Sequence, residues 1–134
     1  MVTHVNKTMS SCFYQIRRLK AVRRSLPLSA AKTVVNSFIM SRVDYCNGLL
    51  AGITQKQADR LQPILNACAR IIYGAGRYDH VTPLLRDKLH WLRFAQRVEY
   101  KLCLLVFKAL HGLAPGYLSK LTVPVHQSRR MIRL

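Results

Sequence analysis

Residues 44–46 place an aspartate, a tyrosine and a cysteine side by side in the stretch SRVDYCNGLLAG (41–52). A carboxylate, a phenol and a thiol are the groups that serve general acid–base and nucleophilic chemistry. Their spacing argues against such a site. On a helix, consecutive side chains point about 100° apart, so the three cannot converge on one substrate atom. No local motif adds a histidine or a second carboxylate. The stretch is expected to be a helix end, with Tyr45 a core or boundary aromatic, Cys46 a small buried residue and Asp44 a partner for an arginine. Asn47-Gly48 would supply residues tolerant of positive φ in the loop that follows.

Asp79-His80 in RYDHVTP has the types of a base and its orienter. Adjacent loop residues rarely hydrogen-bond that way, and no nucleophile lies nearby. A turn-forming aspartate ahead of a capped helix is expected instead. His90-Trp91 is expected to be a packing anchor, since no second ligand falls at a zinc-like spacing. Cys12, Cys46, Cys68 and Cys103 are scattered, with no CxxC and no close histidine. They are expected to be free, mostly buried thiols in an intracellular, reducing compartment. No catalytic residue, metal or cofactor is expected on this chain.

The charge balance is the stronger signal. Twenty-two Lys and Arg face five Asp and Glu, a net charge of +17. Such a surface attracts polyanions, nucleic acid first. The basic residues cluster: QIRRLKAVRRS carries Arg17, Arg18, Lys20, Arg23 and Arg24, and residues 1–43 contain no acid at all. A solvated face normally mixes signs, so these five are the expected nucleic-acid-binding residues. Arg70, Arg77, Arg86, Arg93 and Arg97 could extend their surface. Contacts of this kind give salt-dependent affinity with little sequence preference. The longest strongly apolar run, LCLLVF (102–107), is closed by Lys101 and Lys108. It is far short of the roughly 20 residues of a membrane span, and no membrane partner is expected.

The elements that would position these residues are helical nearly throughout. Val5, Met9, Cys12, Ile16 and Leu19 recur at three or four residues, and this first helix should stop near SLPLS, ahead of Pro27. Ser29 is the expected N-cap of a second helix carrying Val34, Val35, Phe38 and Ile39, which fades at DYCNG. Thr54 and Gln57 have the spacing of a capping box and open a third, with Ala58, Leu61, Leu65, Cys68 and Ile72 on one face. Pro63 inside it should remove a hydrogen bond and bend it, and Gly74 and Gly76 should end it. Thr82-Pro83 opens a short helix to about Leu89. A long helix from about Phe94 to Leu110, apolar on most sides, is expected at the centre of a bundle. Gly112 and Pro115 end it, and YLSKL offers a last turn. The expected fold is all-α, a small bundle of about four to five helices over residues 1–121, with a loose basic C-terminal tail over 122–134.

The order of the motifs resembles a known family. CFYQIRRLKAVRRSL, AAKTVVNSFIMSRVDYCNGLLAG, DRLQPILNACARIIYGAGRYDHVTPLLRDKLHWL and RVEYKLCLLVFKALHGLAPGYLSKL are similar to one continuous segment of non-LTR (LINE-type, jockey-like) retrotransposon polyproteins. The likeness covers roughly residues 4–121 and corresponds to the thumb and the beginning of the C-terminal region of the reverse transcriptase. The resemblance implies an RNA-directed DNA polymerase as parent. In that family, paired palm aspartates carry two-metal chemistry upstream of this segment. The five acids here, Asp44, Asp59, Asp79, Asp87 and Glu99, include no adjacent pair. A catalytically silent thumb-like fragment is therefore expected, gripping an RNA–DNA hybrid or other polyanion by its backbone. Met1 falls close to the palm–thumb boundary, and the missing palm is a second implied partner. Pro63 departs from a position where the family continues a helix, and Arg93 stands where the family commonly has proline. The alternatives are a helical protein–protein interaction module, docked on the palm or an acidic partner, and an element remnant with no selected function.

Overall fold

The computed structural model describes residues 2–122. Of the basic tail expected at 122–134, residues 123–134 lie outside the described residues. The described chain is all helical in its regular structure. Helix α1 is Val2–Val22, α2 Leu28–Val35, α3 Ser41–Asp44, α4 Gln55–Tyr73, α5 Phe94–Leu110 and α6 Gly116–Ser119. A π turn over Asn36–Met40 joins α2 to α3 in one continuous helical run, and a second forms Leu84–Lys88. Short 3-10 turns occupy Arg23–Ser25 and Asn47–Leu50. The chain divides into two compact units at Val98/Glu99, inside α5.

The first unit is built by the helical periodicity. Val5, Cys12, Ile16 and Leu19 of α1 are buried, and Met9 is partly buried against the same core. All five expected core positions of α4 are buried, joined by Ile64 and Ala69. Val35, Ile39, Met40 and Val43 complete the core from the second helical run, with Leu85, Phe94 and Val98 from later in the unit. Phe38 instead stays exposed. Burial of this kind, at ~25 cal/mol per Å² of apolar surface, is the main stabilising term.

The helix ends fall near their expected places, by somewhat different means. Pro27 is itself the N-cap of α2, and its carbonyl accepts the Ala31 N–H at 3.0 Å. Ser29 therefore sits inside the first turn, not at the cap, and its carbonyl accepts the Thr33 hydroxyl at 3.1 Å. Thr54 caps α4 through its carbonyl, which accepts the N–H groups of Gln57 (2.9 Å) and Ala58 (3.1 Å). Its side chain makes no cap bond. Pro63 is exposed, as is Asp59, whose carbonyl it leaves without an N–H, and the helix runs unbroken through it. Gly74, at φ +66°, ends α4 with paired bonds from Gly74 N–H to the Ile71 carbonyl and from Ala75 N–H to the Arg70 carbonyl. That 5→2, 6→1 pattern needs a left-handed residue, which glycine supplies without a Cβ penalty. A helix does start at Thr82-Pro83, but Thr82 is already inside it: the Val81 carbonyl accepts the Leu85 N–H at 3.0 Å, and the turn that follows is wound as π with no side-chain cap bond.

In the second unit, α5 departs from expectation. Ala109 is buried, but Leu102, Leu105, Val106, Phe107 and Leu110 are 37–52% exposed and Cys103 is exposed. From Glu99 on, the helix is largely exposed among the described residues. Apolar composition reports what a helix would gain from cover, but it does not supply the covering element. Gly112, at φ +68°, lets the Leu113 N–H reach back to the Lys108 carbonyl at 2.8 Å and closes the helix.

Candidate nucleic-acid interface

Asp44, Tyr45 and Cys46 do not form a site. The Asp44 carboxylate accepts two bonds from Arg97, from Nε to Oδ1 at 2.9 Å and from Nη2 to Oδ2 at 2.6 Å. This bidentate pair is the arginine partnership that the sequence suggested. It ties the end of α3 to the start of α5 within the first unit. The other two residues overturn their expectation. The helix stops at Asp44, Tyr45 is extended (ψ 118°), and Cys46 takes the left-handed conformation at φ 54°. Past that corner the helical register no longer faces the core, so Tyr45 is 70% exposed and Cys46 is exposed as well. Asn47 is buried, with its amide 3.4 Å from Asp44 Oδ1.

Asp79 is the turn former expected of it: its carboxylate accepts the Gly76 N–H at 2.7 Å. His80 is exposed. Trp91 packs partly buried against the core, while His90, at φ 53°, is exposed. Among the described residues no group of three or more His, Cys, Asp or Glu could hold a metal ion. Nor is any helix among them long and apolar enough to cross a membrane. The thiols split evenly, contrary to the expectation of mostly buried ones: Cys12 and Cys68 are buried, Cys46 and Cys103 exposed. Burial raises the Cys12 thiol against the opposing pull of the Arg42 charge, and burial pushes Cys68 up to about 12.

The basic residues between Arg17 and Arg24 do not share one surface. Arg17 and Arg18 are exposed, with the Arg18 guanidinium 5.8 Å from the centre of the Tyr14 ring. Arg18 borders a small apolar groove with Val22, Leu26, Val34 and Phe38. Lys20, Arg23 and Arg24 instead line a groove of about 770 Å³ between the end of α1 and the end of α4. Two of the residues suggested as extensions, Arg70 and Arg77, join them there. Apolar and small residues such as Ile16, Ala21, Ala67 and Ile71 form the rest of the lining, and none of the lining residues is acidic. The other suggested extensions lie outside it. Arg97 is committed to Asp44, Arg86 pairs with Asp87 at 2.9 Å, and Arg93 is exposed elsewhere.

Within the groove, Arg23 differs from its neighbours. Its Nε donates to the Ile71 carbonyl at 2.8 Å, Nη2 to the Ile72 carbonyl at 2.5 Å and Nη1 to the Leu26 carbonyl at 2.8 Å. The guanidinium thus satisfies carbonyls in the last turn of α4 and sits at the negative end of that helix dipole. Much of its donor capacity is spent on the fold. Lys20 and Arg24 are exposed, Arg77 is exposed, and half-buried Arg70 has an Nε with no partner and a long 3.4 Å contact from Nη2 to the Asp79 carbonyl. Four cationic side chains, Lys20, Arg24, Arg70 and Arg77, are therefore available to an anion. Low-dielectric walls and the absence of a carboxylate focus their field. No sequence signal distinguished Arg23 from Arg24, since its two α4 partners are 48 and 49 residues away.

The chain matches no family model, no curated protein and no solved structure.

Proposed function

We propose that this chain is a thumb-like helical module of a non-LTR retrotransposon RNA-directed DNA polymerase, catalytically silent by itself, that grips nucleic acid through its phosphate backbone. The observation that carries the reading is the groove at the end of α1, where Lys20, Arg24, Arg70 and Arg77 face an opening with no carboxylate in its lining. The resemblance of residues 4–121 to the family's thumb segment supplies the parent activity. The absence of an adjacent aspartate pair in the sequence is the reason to assign no polymerisation to the chain. Four neutralised phosphates imply a log–log salt slope of roughly −3.6, or about a hundredfold loss of affinity between 50 and 200 mM salt. The test is a salt titration of binding to an RNA–DNA hybrid by the native chain and by a Lys20→Gln, Arg24→Gln, Arg77→Gln variant. The variant should shed about three phosphate contacts and flatten the slope to match. No binding at low salt, or an unchanged slope in the variant, refutes the proposal.

A second reading is favoured by α5. Its exposed Leu102, Leu105, Val106, Phe107 and Leu110 form an apolar surface of the kind that docks on another protein. In that reading the chain is a helical interaction module and the groove is incidental. Size exclusion with light scattering separates the two, since a clean monomer at high concentration counts against a docking face.

A further inference from the structure

A second cleft lies beside the N-terminal half of α1, between it and α3, in the first unit. Its volume is about 550 Å³, within the range of small-ligand sites. Its lining is His4, Lys7, Thr8, Ser11, Ser41, Arg42 and Tyr45. Every one of these side chains except Ser41, whose hydroxyl donates to the Ser37 carbonyl at 2.5 Å, keeps a donor for a ligand, and none is a carboxylate. The nearest acid along the chain, Asp44, is turned to Arg97 by its two bonds. Arg42 is held in place by donating from Nη1 to Ser11 Oγ, so the guanidinium is pre-positioned at the cleft. Its field reaches the buried Cys12, where it opposes the upward push of burial.

The positions of the lining residues separate this cleft from the groove. His4, Lys7, Thr8 and Ser11 recur at three and four residues and share one stripe of α1. Continued at 100° per residue, that stripe passes through Gln15, Arg18 and Val22, not through Lys20. The two cationic clefts therefore lie on different flanks of α1, and Lys7 and Lys20, thirteen positions apart, are about 20 Å apart along its axis.

We propose that this cleft is a phosphate-binding site, in which Lys7, Arg42 and His4 meet the anion, the hydroxyls of Thr8 and Ser11 donate to its oxygens, and the exposed Tyr45 ring offers a face to a planar group carried by the same ligand. Arginine suits such an oxyanion because its planar fork can donate two parallel bonds, and lysine adds a point charge. The ligand class is a phosphate ester, as a mononucleotide provides, or the free anion.

The experiment is a calorimetric titration of the folded full chain, at low ionic strength, with inorganic phosphate and separately with adenosine monophosphate. Lys7→Gln and Arg42→Gln should each weaken phosphate binding at least tenfold, while Lys56→Gln, an exposed lysine in the lining of neither cleft, should leave it within twofold. Lys7 is exposed and decides the matter even if Arg42→Gln, which loses the Ser11 bond, is poorly folded. Retained binding in Lys7→Gln, an equal loss in Lys56→Gln, or no saturable binding at all overturns the assignment. Tighter binding of the mononucleotide, with the advantage lost in Tyr45→Ala, supports the phosphate site and identifies an ester as its ligand. Equal binding of both probes supports it with the free anion as ligand. The outcome is independent of hybrid binding, which depends on the opposite flank.

Discussion

Replacing Arg23 by glutamine tests whether this residue belongs to the fold or to the ligand. The side chain makes three bonds to main-chain carbonyls, two of them in the last turn of α4 and one at Leu26. Hydrogen bonds to a charged group are each worth about 1.5–3 kcal/mol when intact, but Arg23 and two of its acceptors, Ile71 and Leu26, are only partly buried and water can replace some of the loss. A cation at a helix C-terminus adds about 0.3–1 kcal/mol. Together these terms place the cost of Arg23→Gln at about 2–4 kcal/mol. Arg24→Gln, with the same charge change one residue away on an exposed side chain, should cost less than about 0.5 kcal/mol. Arg23→Lys keeps the charge but not the planar fork and should fall between them. Urea unfolding of the three variants reads this difference as a shift in midpoint at constant slope. If Arg23→Gln and Arg24→Gln unfold within about 0.5 kcal/mol of one another, the spread ordinary among surface substitutions, the structural role of Arg23 is refuted.

Asp44→Ala should destabilise the chain by about 1–2 kcal/mol, because it leaves the half-buried Arg97 guanidinium without its carboxylate, and a double-mutant cycle with Arg97→Ala would show the coupling. Cys46→Gly should stabilise by about 0.5–1 kcal/mol, since φ 54° strains a residue with a Cβ and the exposed thiol contributes no packing; thermal melts check it. With Cys68 held up to about 12 in the folded chain, the native state keeps a proton that the unfolded chain sheds from about pH 9 upward. Stability should therefore be fully present below pH 9 and fall as pH rises toward 12, by up to about 1.4 kcal/mol per pH unit, and Cys68→Ala should lessen that dependence in urea midpoints.

The helices were legible because their periodic apolar positions report the same constraint that builds the core. Each of Ala58, Leu61, Leu65, Cys68 and Ile72 is buried as its spacing demands. Asp44 was legible as an arginine's partner on supply alone, with so few acids among so many cations, although the choice of Arg97 was not. Tyr45 and Cys46 were misjudged because their burial depended on the helix continuing past Asp44, and the chain turns left-handed there instead. The long apolar helix α5 was misjudged for a related reason. Its composition states a preference for cover, whereas exposure depends on which other segments come to lie against it.

By itself the sequence determined the helical class, most of the core and the excess of positive charge, since each rests on residue type and on spacing within a turn or two. Tertiary structure alone decided how that charge is used. It brought Arg70 and Arg77 from α4 and its following loop to Lys20 and Arg24 at the end of α1. It turned Arg23 inward onto the α4 carbonyls, placed Arg18 on a separate flank, and assembled His4, Lys7 and Arg42 around a second cleft. Charge is a property of the residue, but a field that can hold an anion depends on which charges converge and which are already paired. Those distances span tens of positions in the chain and exist only once the helices have packed.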